Sequence, residues 1–186
     1  IMECCIEGYD LGFRTFVMQG GEDGFYTDDI LCDLIGKIKE KFYRDAVDEF
    51  VKRLSRYCKI RIIEVADENT PNNAPEAIEE QIKNKEGERI LKNVTDNMHV
   101  IALAIEGKEL SSVKFAQKIE RFGIEGTSDL CFVIGGSLGL SKEVYNRADE
   151  LLSFSPMTFP HQLMRVILLE QVYRCFRIIH NEPYHK

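Results

Sequence analysis

Apolar positions along the chain recur with two periods, and the alternation between them predicts an α/β order of elements. Phe42, Ala46, Val47, Phe50, Val51 and Leu54 fall on one stripe of a helix over 42–57, and a strand over Lys59–Val65 follows. A polar, turn-rich stretch at 67–75 reads as a mobile surface loop, leading into a charged helix over Glu76–Leu91. The apolar runs HVIALAI (99–105) and DLCFVI (Asp129–Ile134) end at glycines, and they suit strands of a parallel sheet buried on both faces. Helices at 111–122 and 142–152 would supply the crossovers.

The two ends are less regular. Residues 1–35 read as a helix (3–11), a short strand (13–18), a Gly-rich turn (Gly20, Gly21, Gly24) and a Thr27-capped helix. In the last of these Ile30, Leu31, Leu34, Ile35 and Ile38 keep helical spacing, although 29–35 also accommodates a strand. The final helix, at 162–179, is apolar around most of its circumference, with Glu170, Arg174 and Arg177 on one side. Such a helix is buried all round, either inside the core or in a homodimer interface.

At 186 residues and 44% hydrophobic content the chain suits one main domain with a small appendage. The opening Ile1 is expected of a fragment, with Met2 an alternative start. Six cysteines at spacings that make neither a zinc pattern nor a disulfide framework point to reduced thiols and the cytosol. No apolar run is long enough to cross a membrane. The net charge of −7 first argues against nucleic acid. Its distribution changes the picture, because residues 1–35 carry eight acids against Arg14 alone and the remainder balances at 23 of each sign. Within that remainder, basic residues gather at 37–61 and at the C-terminus, where they face either phosphate or solvent.

Three constellations are candidates for chemistry. Gly135, Gly136 and Gly139 in FVIGGSLGL follow a strand, as a ligand site or a simple strand-to-helix turn would require, and Ser141 is placed to cap the next helix. Neither a dinucleotide fingerprint nor a phosphate loop is present. FSPMTFPH (154–161) has a proline-restricted backbone, and the tail HNEPYHK (180–186) ends in a tyrosine and a histidine, residues that at a chain end are ordinarily frayed at the surface.

Taken together, GKIKEKFYRDAVDEFVKRLSRYCKI (36–60), IIEVADE (62–68), KEGERIL (85–91), FVIGGSLGLS (132–141), LSFSPMTFPHQLMRVILLEQVYRCFRI (152–178) and the tail EPYHK resemble the RlmH family of SPOUT methyltransferases. The resemblance covers about 150 residues, 36–186. It implies an α/β parallel-sheet domain with a C-terminal trefoil knot, an obligate homodimer, and methylation of ring nitrogen 3 of a pseudouridine in 23S ribosomal RNA on the assembled ribosome. S-adenosylmethionine would be the methyl donor, with no metal. The matching cofactor positions are Leu103, Gly135, Phe154, Ser155, Pro156, Met157, Thr158 and Phe159. Tyr184 and His185 fall at the substrate site, where either would remove the imide proton or orient the base, and Arg165 and Arg174 are candidates for RNA phosphate or developing negative charge.

Residues 1–35 depart from this pattern and are expected to form a foreign α-β-α extension. Residues 1–41 resemble an internal fragment of a radical-SAM barrel enzyme, without the cluster-binding cysteine motif, so no iron–sulfur chemistry is assigned to Cys4 or Cys5. A junction near 36–42 would oblige 29–35 to replace the family's first strand, against its helical spacing. The rival expectations are a catalytically silent ribosome-binding module and a hybrid inactivated by its acidic N-terminus.

Overall fold

The computed structural model describes residues 14–20, 31–65, 68, 71, 74–127 and 129–184, with side chains from residue 41 onward. The expected first helix, the Gly-rich turn and its Thr27 cap, most of the 67–75 loop, and His185 lie outside the described residues.

Five parallel strands form one sheet: β1 (Arg14–Gly20), β2 (Lys59–Val65), β3 (His99–Glu109), β4 (Asp129–Ile134) and β5 (Glu150–Ser153), in the spatial order β2-β1-β4-β3-β5. The helices are α1 (Leu31–Leu54), α2 (Glu76–Leu91), α3 (Ser112–Ile124), α4 (Lys142–Arg147) and α5 (His161–Ile179). Successive strand residues point to opposite faces, so β4 sends Leu130, Phe132 and Ile134 toward a core shared with α1, α3 and α5. Cys131 and Val133 face a second core closed by Ile90 of α2 and Val144 of α4. Burial on both faces explains why the β3 and β4 runs are apolar without alternation. It also pushes the Cys131 thiol up to about 12, leaving it a packing group.

Three differences from the sequence-based expectations concern the sheet. Residues 31–35 are helical, so their 3.6-residue spacing prevails, and the place between β2 and β4 is filled by residues 14–20, paired to both. The boundary expected between residues 35 and 36 falls inside α1. The helix expected at 142–152 stops at Arg147. Ala148 turns extended (φ −65, ψ 128), Asp149 exchanges hydrogen bonds with Val100 through its amide (2.8 Å) and its carboxylate (2.7 Å), and 150–153 becomes β5. Finally, β3 runs past residue 105 to Glu109, with its pairing to β5 slipping between Leu103 and Lys108, both of which oppose Leu152.

The KEGER run has a packing role. Buried Glu86 accepts from the Glu68 amide (3.2 Å), Arg89 pairs with the Glu68 carboxylate, and Gly87 lies where a Cβ would stand 2.2 Å from Ser141 Oγ. Ser141 caps α4 as its sequence position predicts, accepting from the Val144 amide at 3.4 Å.

At the opposite end of β3, the His99 ring packs tilted against Phe122 at 4.5 Å and stands 3.2 Å from Glu150 Oε1. Burial holds its pKa below the ordinary 6.5. The carboxylate of Asp149 opposes that shift, while the cations Lys118 and Arg147 add to it. The folded state therefore binds fewer protons than the unfolded one, so stability rises with pH across the interval ending near 6.5 and is lost below His99's folded value. Urea midpoints of wild type and His99→Gln across that interval should show a flatter pH dependence in the variant.

Candidate active site

The sheet register gathers the expected cofactor residues from three segments. Leu103 on β3 pairs with Ile134 on one side and Leu152 on the other. Gly135 follows directly after Ile134, and Phe154 follows two residues after Leu152, so the segments beyond β4 and β5 leave their strands beside Leu103, which stands inside β3. Leu103, Gly135, Phe154, Ser155 and Phe159 are half-buried, while Pro156, Met157 and Thr158 face solvent. The loop is shaped by its own serines: Ser153 Oγ donates to the Ser155 carbonyl (3.2 Å) and the Met157 amide donates to Ser155 Oγ (3.0 Å).

Beyond β4 the backbone folds into a tight glycine turn. A Cβ on Gly135 would stand 2.9 Å from the Gly139 carbonyl carbon and 3.1 Å from Leu140 Cγ, so the turn closes only with glycine at this position. Gly139 has φ +85 and donates to the Gly136 carbonyl at 3.1 Å, a turn that a side chain would strain. An apolar floor beside exposed backbone suits a nucleoside with a flexible, charged tail, and the residues present fit S-adenosylmethionine.

The candidate substrate residues form a second group along α5. Arg165 pairs with Glu64 at the carboxyl end of β2. Arg174 pairs with Glu170 one turn earlier on the same helix, and its guanidinium lies 4.8 Å from the centre of the Tyr184 ring. Tyr184 meets Tyr173 edge-on at 5.0 Å and donates its phenol proton to Glu170 Oε1 at 3.2 Å. Burial first, then the Glu170 carboxylate, holds the Tyr184 pKa above its ordinary value of 10.

Arg165 lies in the first turns of α5, near the 154–159 loop, whereas the cluster of Glu170, Arg174 and Tyr184 lies further along the helix. Phe159 and Glu170 are eleven residues apart, roughly 16 Å along a helix. Glu170, the group that receives both Arg174 and Tyr184, was missed as a site residue in the sequence. Its spacing of four from Arg174 is the signal that marks it.

Ligands of open α/β sheets sit at the carboxyl ends of strands, so the class this arrangement defines is a ligand-binding parallel α/β domain. A family model described as "Predicted SPOUT methyltransferase" matches residues 29–185, and the chain belongs to that family. It is 62% identical over 152 residues to "Ribosomal RNA large subunit methyltransferase H 1" of Clostridium perfringens (strain SM101 / Type A), spanning 82% of this chain and 96% of that one. A relative from Bifidobacterium adolescentis, "Ribosomal RNA large subunit methyltransferase H", is 61% identical over 152 residues, with the same coverage. Among solved structures, a probable methylase family protein from Haemophilus influenzae Rd KW20 aligns with a TM-score of 0.46 and 12% identity, over 94% of this chain and 70% of that one.

Proposed function

We propose that this protein transfers a methyl group from S-adenosylmethionine to ring nitrogen 3 of a pseudouridine in 23S ribosomal RNA, on the assembled ribosome in the cytoplasm. The observation that carries this reading is the convergence of Leu103, Gly135 and 154–159 at one sheet edge. The naming of relatives 58–62% identical as large-subunit ribosomal RNA methyltransferases supports the choice of substrate. The C-terminal trefoil knot that the family resemblance implies is part of this reading.

Bound S-adenosylmethionine supplies an electrophilic methyl on a sulfonium, which leaves as a neutral thioether when the ring nitrogen attacks in line. Leu103, the Gly135–Gly139 turn and the 154–159 loop are the residues that would hold the donor. That positioning supplies much of the rate. The imide nitrogen must give up its proton, and the phenol of Tyr184 is already protonated and donating to Glu170. Tyr184 therefore orients the base, and His185 is the better candidate for receiving the proton. Arg165 and Arg174 each hold a carboxylate, Glu64 and Glu170, and would exchange it for RNA phosphate or enolate charge on binding.

A homodimer brings the two groups together. Within one subunit the tail lies over the middle of α5 rather than over the cofactor loop, so a second copy is needed to bring its Tyr184 across. Leu168, Leu169, Val172, Cys175 and Phe176 of α5 are buried in the subunit's own core. Leu163 and Ile167, one turn apart and only half-buried, are left for the partner.

Tritium transfer from S-adenosylmethionine to ribosomes lacking the modification tests the reading. Labelling confined to one large-subunit pseudouridine is expected, and ribosomes that stay unlabelled under conditions of saturating donor would refute it. In the same assay Tyr184→Phe should lower kcat without moving the midpoint of the pH–rate profile between about pH 6 and 9. A midpoint displaced by that substitution would make the phenol the base.

A further inference from the structure

The chain reverses sharply after α5. His180 ends the helix, Asn181 adopts a left-handed conformation (φ 54), its amide donates to the Ile178 carbonyl at 3.0 Å, and the Glu182 amide donates to the Arg177 carbonyl at 2.8 Å. This is the double hydrogen-bond pattern of a Schellman cap, in which asparagine stands where glycine is usual. An apolar contact normally joins the residue after the cap to the last helical turn. Here the pair is ionic: Arg177 Nη1 lies 2.5 Å from Glu182 Oε2.

A third group completes the arrangement from a distant part of the chain. Tyr57, in the link between α1 and β2, stacks on Phe176 (5.4 Å, 8° between planes) and donates its hydroxyl proton to the Glu182 carboxylate. Arg177 Nη1 donates to the same phenolic oxygen at 3.3 Å, and its Nη2 donates to the Pro183 carbonyl at 3.3 Å. Tyr57, Arg177 and Glu182 thus hold one another, and Arg177 carries the hold to the Pro183 carbonyl immediately before Tyr184.

We infer that Tyr57, Arg177 and Glu182 form a clasp that positions the C-terminal tail for methyl transfer, setting where Tyr184 and His185 present their groups to the RNA base. The inference rests on the methyltransferase reading above. These are positioning residues, because none of them reaches the cofactor loop, and their effect passes through Pro183 to the residues beyond it. The link through Tyr57 also ties the tail to the turn between α1 and β2, so the end of the chain takes its orientation from that turn as well as from α5.

Glu182→Ala and Tyr57→Phe test it on the full-length protein, the second removing a single hydroxyl. Both should lower kcat roughly ten- to a hundredfold through misplacement of the tail. The affinity for S-adenosylmethionine by titration calorimetry, the KM for ribosomes and the thermal midpoint should stay at wild-type values. Glu182→Gln, which keeps an acceptor for the Tyr57 phenol, should recover part of the loss. Amide hydrogen exchange of the peptide spanning 181–186 should speed up in Glu182→Ala whether or not turnover is measurable. Unchanged exchange overturns the clasp, and so does unchanged kcat in an active wild-type background. A wild-type protein without methyl transfer but with exchange that responds to the substitutions would instead remove the methyltransferase reading and leave the clasp as a tail-ordering device.

Discussion

Removal of Tyr184, His185 and Lys186 is expected to lower kcat by about 10²–10⁴-fold, the range lost when a positioned proton-transfer group is taken away. Binding of S-adenosylmethionine should be untouched, because Leu103, Gly135 and the 154–159 loop all lie at the sheet edge, some 16 Å along α5 from where the tail packs. The tail's contacts fall on Glu170, Tyr173 and Arg174 of α5, none of them in the buried core. Stability should therefore change little. Single-turnover rates on unmodified ribosomes, beside titration calorimetry for the donor, separate the two effects. A truncated protein that still methylates at the wild-type rate would place the chemistry elsewhere.

Gly107→Ala should damage fold and site together. A Cβ there would lie 2.6 Å from the Leu152 carbonyl carbon, 2.7 Å from its nitrogen and 2.8 Å from the Leu151 carbonyl carbon. These are backbone atoms of β5, unlike the Ser141 hydroxyl that crowds Gly87, and they cannot rotate aside. Relief requires β3 and β5 to separate at the point where the cofactor loop begins. Overpacking of this kind costs about 1–3 kcal/mol, and at a strand contact the upper end is expected. Urea denaturation should show that loss, accompanied by a fall in donor affinity of at least an order of magnitude, since about 1.4 kcal/mol of misplacement is already tenfold. Wild-type affinity in this variant would uncouple the β3–β5 contact from the ligand site.

Local pattern carried much of the fold. The bounds of β2, α2 and β4 agree with the sequence reading, because each is a run set off by turn-forming or polar residues at its ends. Leu151 and Leu152 were read as the end of a helix, since two adjacent leucines fit either period. What decides for a strand is Asp149 bonding to Val100, a partner 49 residues away that no local window contains. The fate of residues 31–35 was open for the same reason: whether a strand was needed there depended on whether another segment stood between β2 and β4. At the site, the candidate cofactor positions came from the resemblance alone, and the register sets Leu103 beside Ile134 and Leu152, the strand residues that precede Gly135 and the 154–159 segment. The clasp was not, because Tyr57 and Glu182 are 125 residues apart and neither spacing nor composition links them.

The location of β1 bears on how the N-terminal region is to be handled. Strands in a sheet stand about 4.8 Å apart, so excising residues 14–20 would leave β2 and β4 facing each other across nearly 10 Å, with both ladders of backbone groups unanswered. Trimming the acidic leader back to the region that resembles known methyltransferases is thus not cosmetic surgery on a loose end. It withdraws a middle plank, and any shortened version must bring a substitute strand with it.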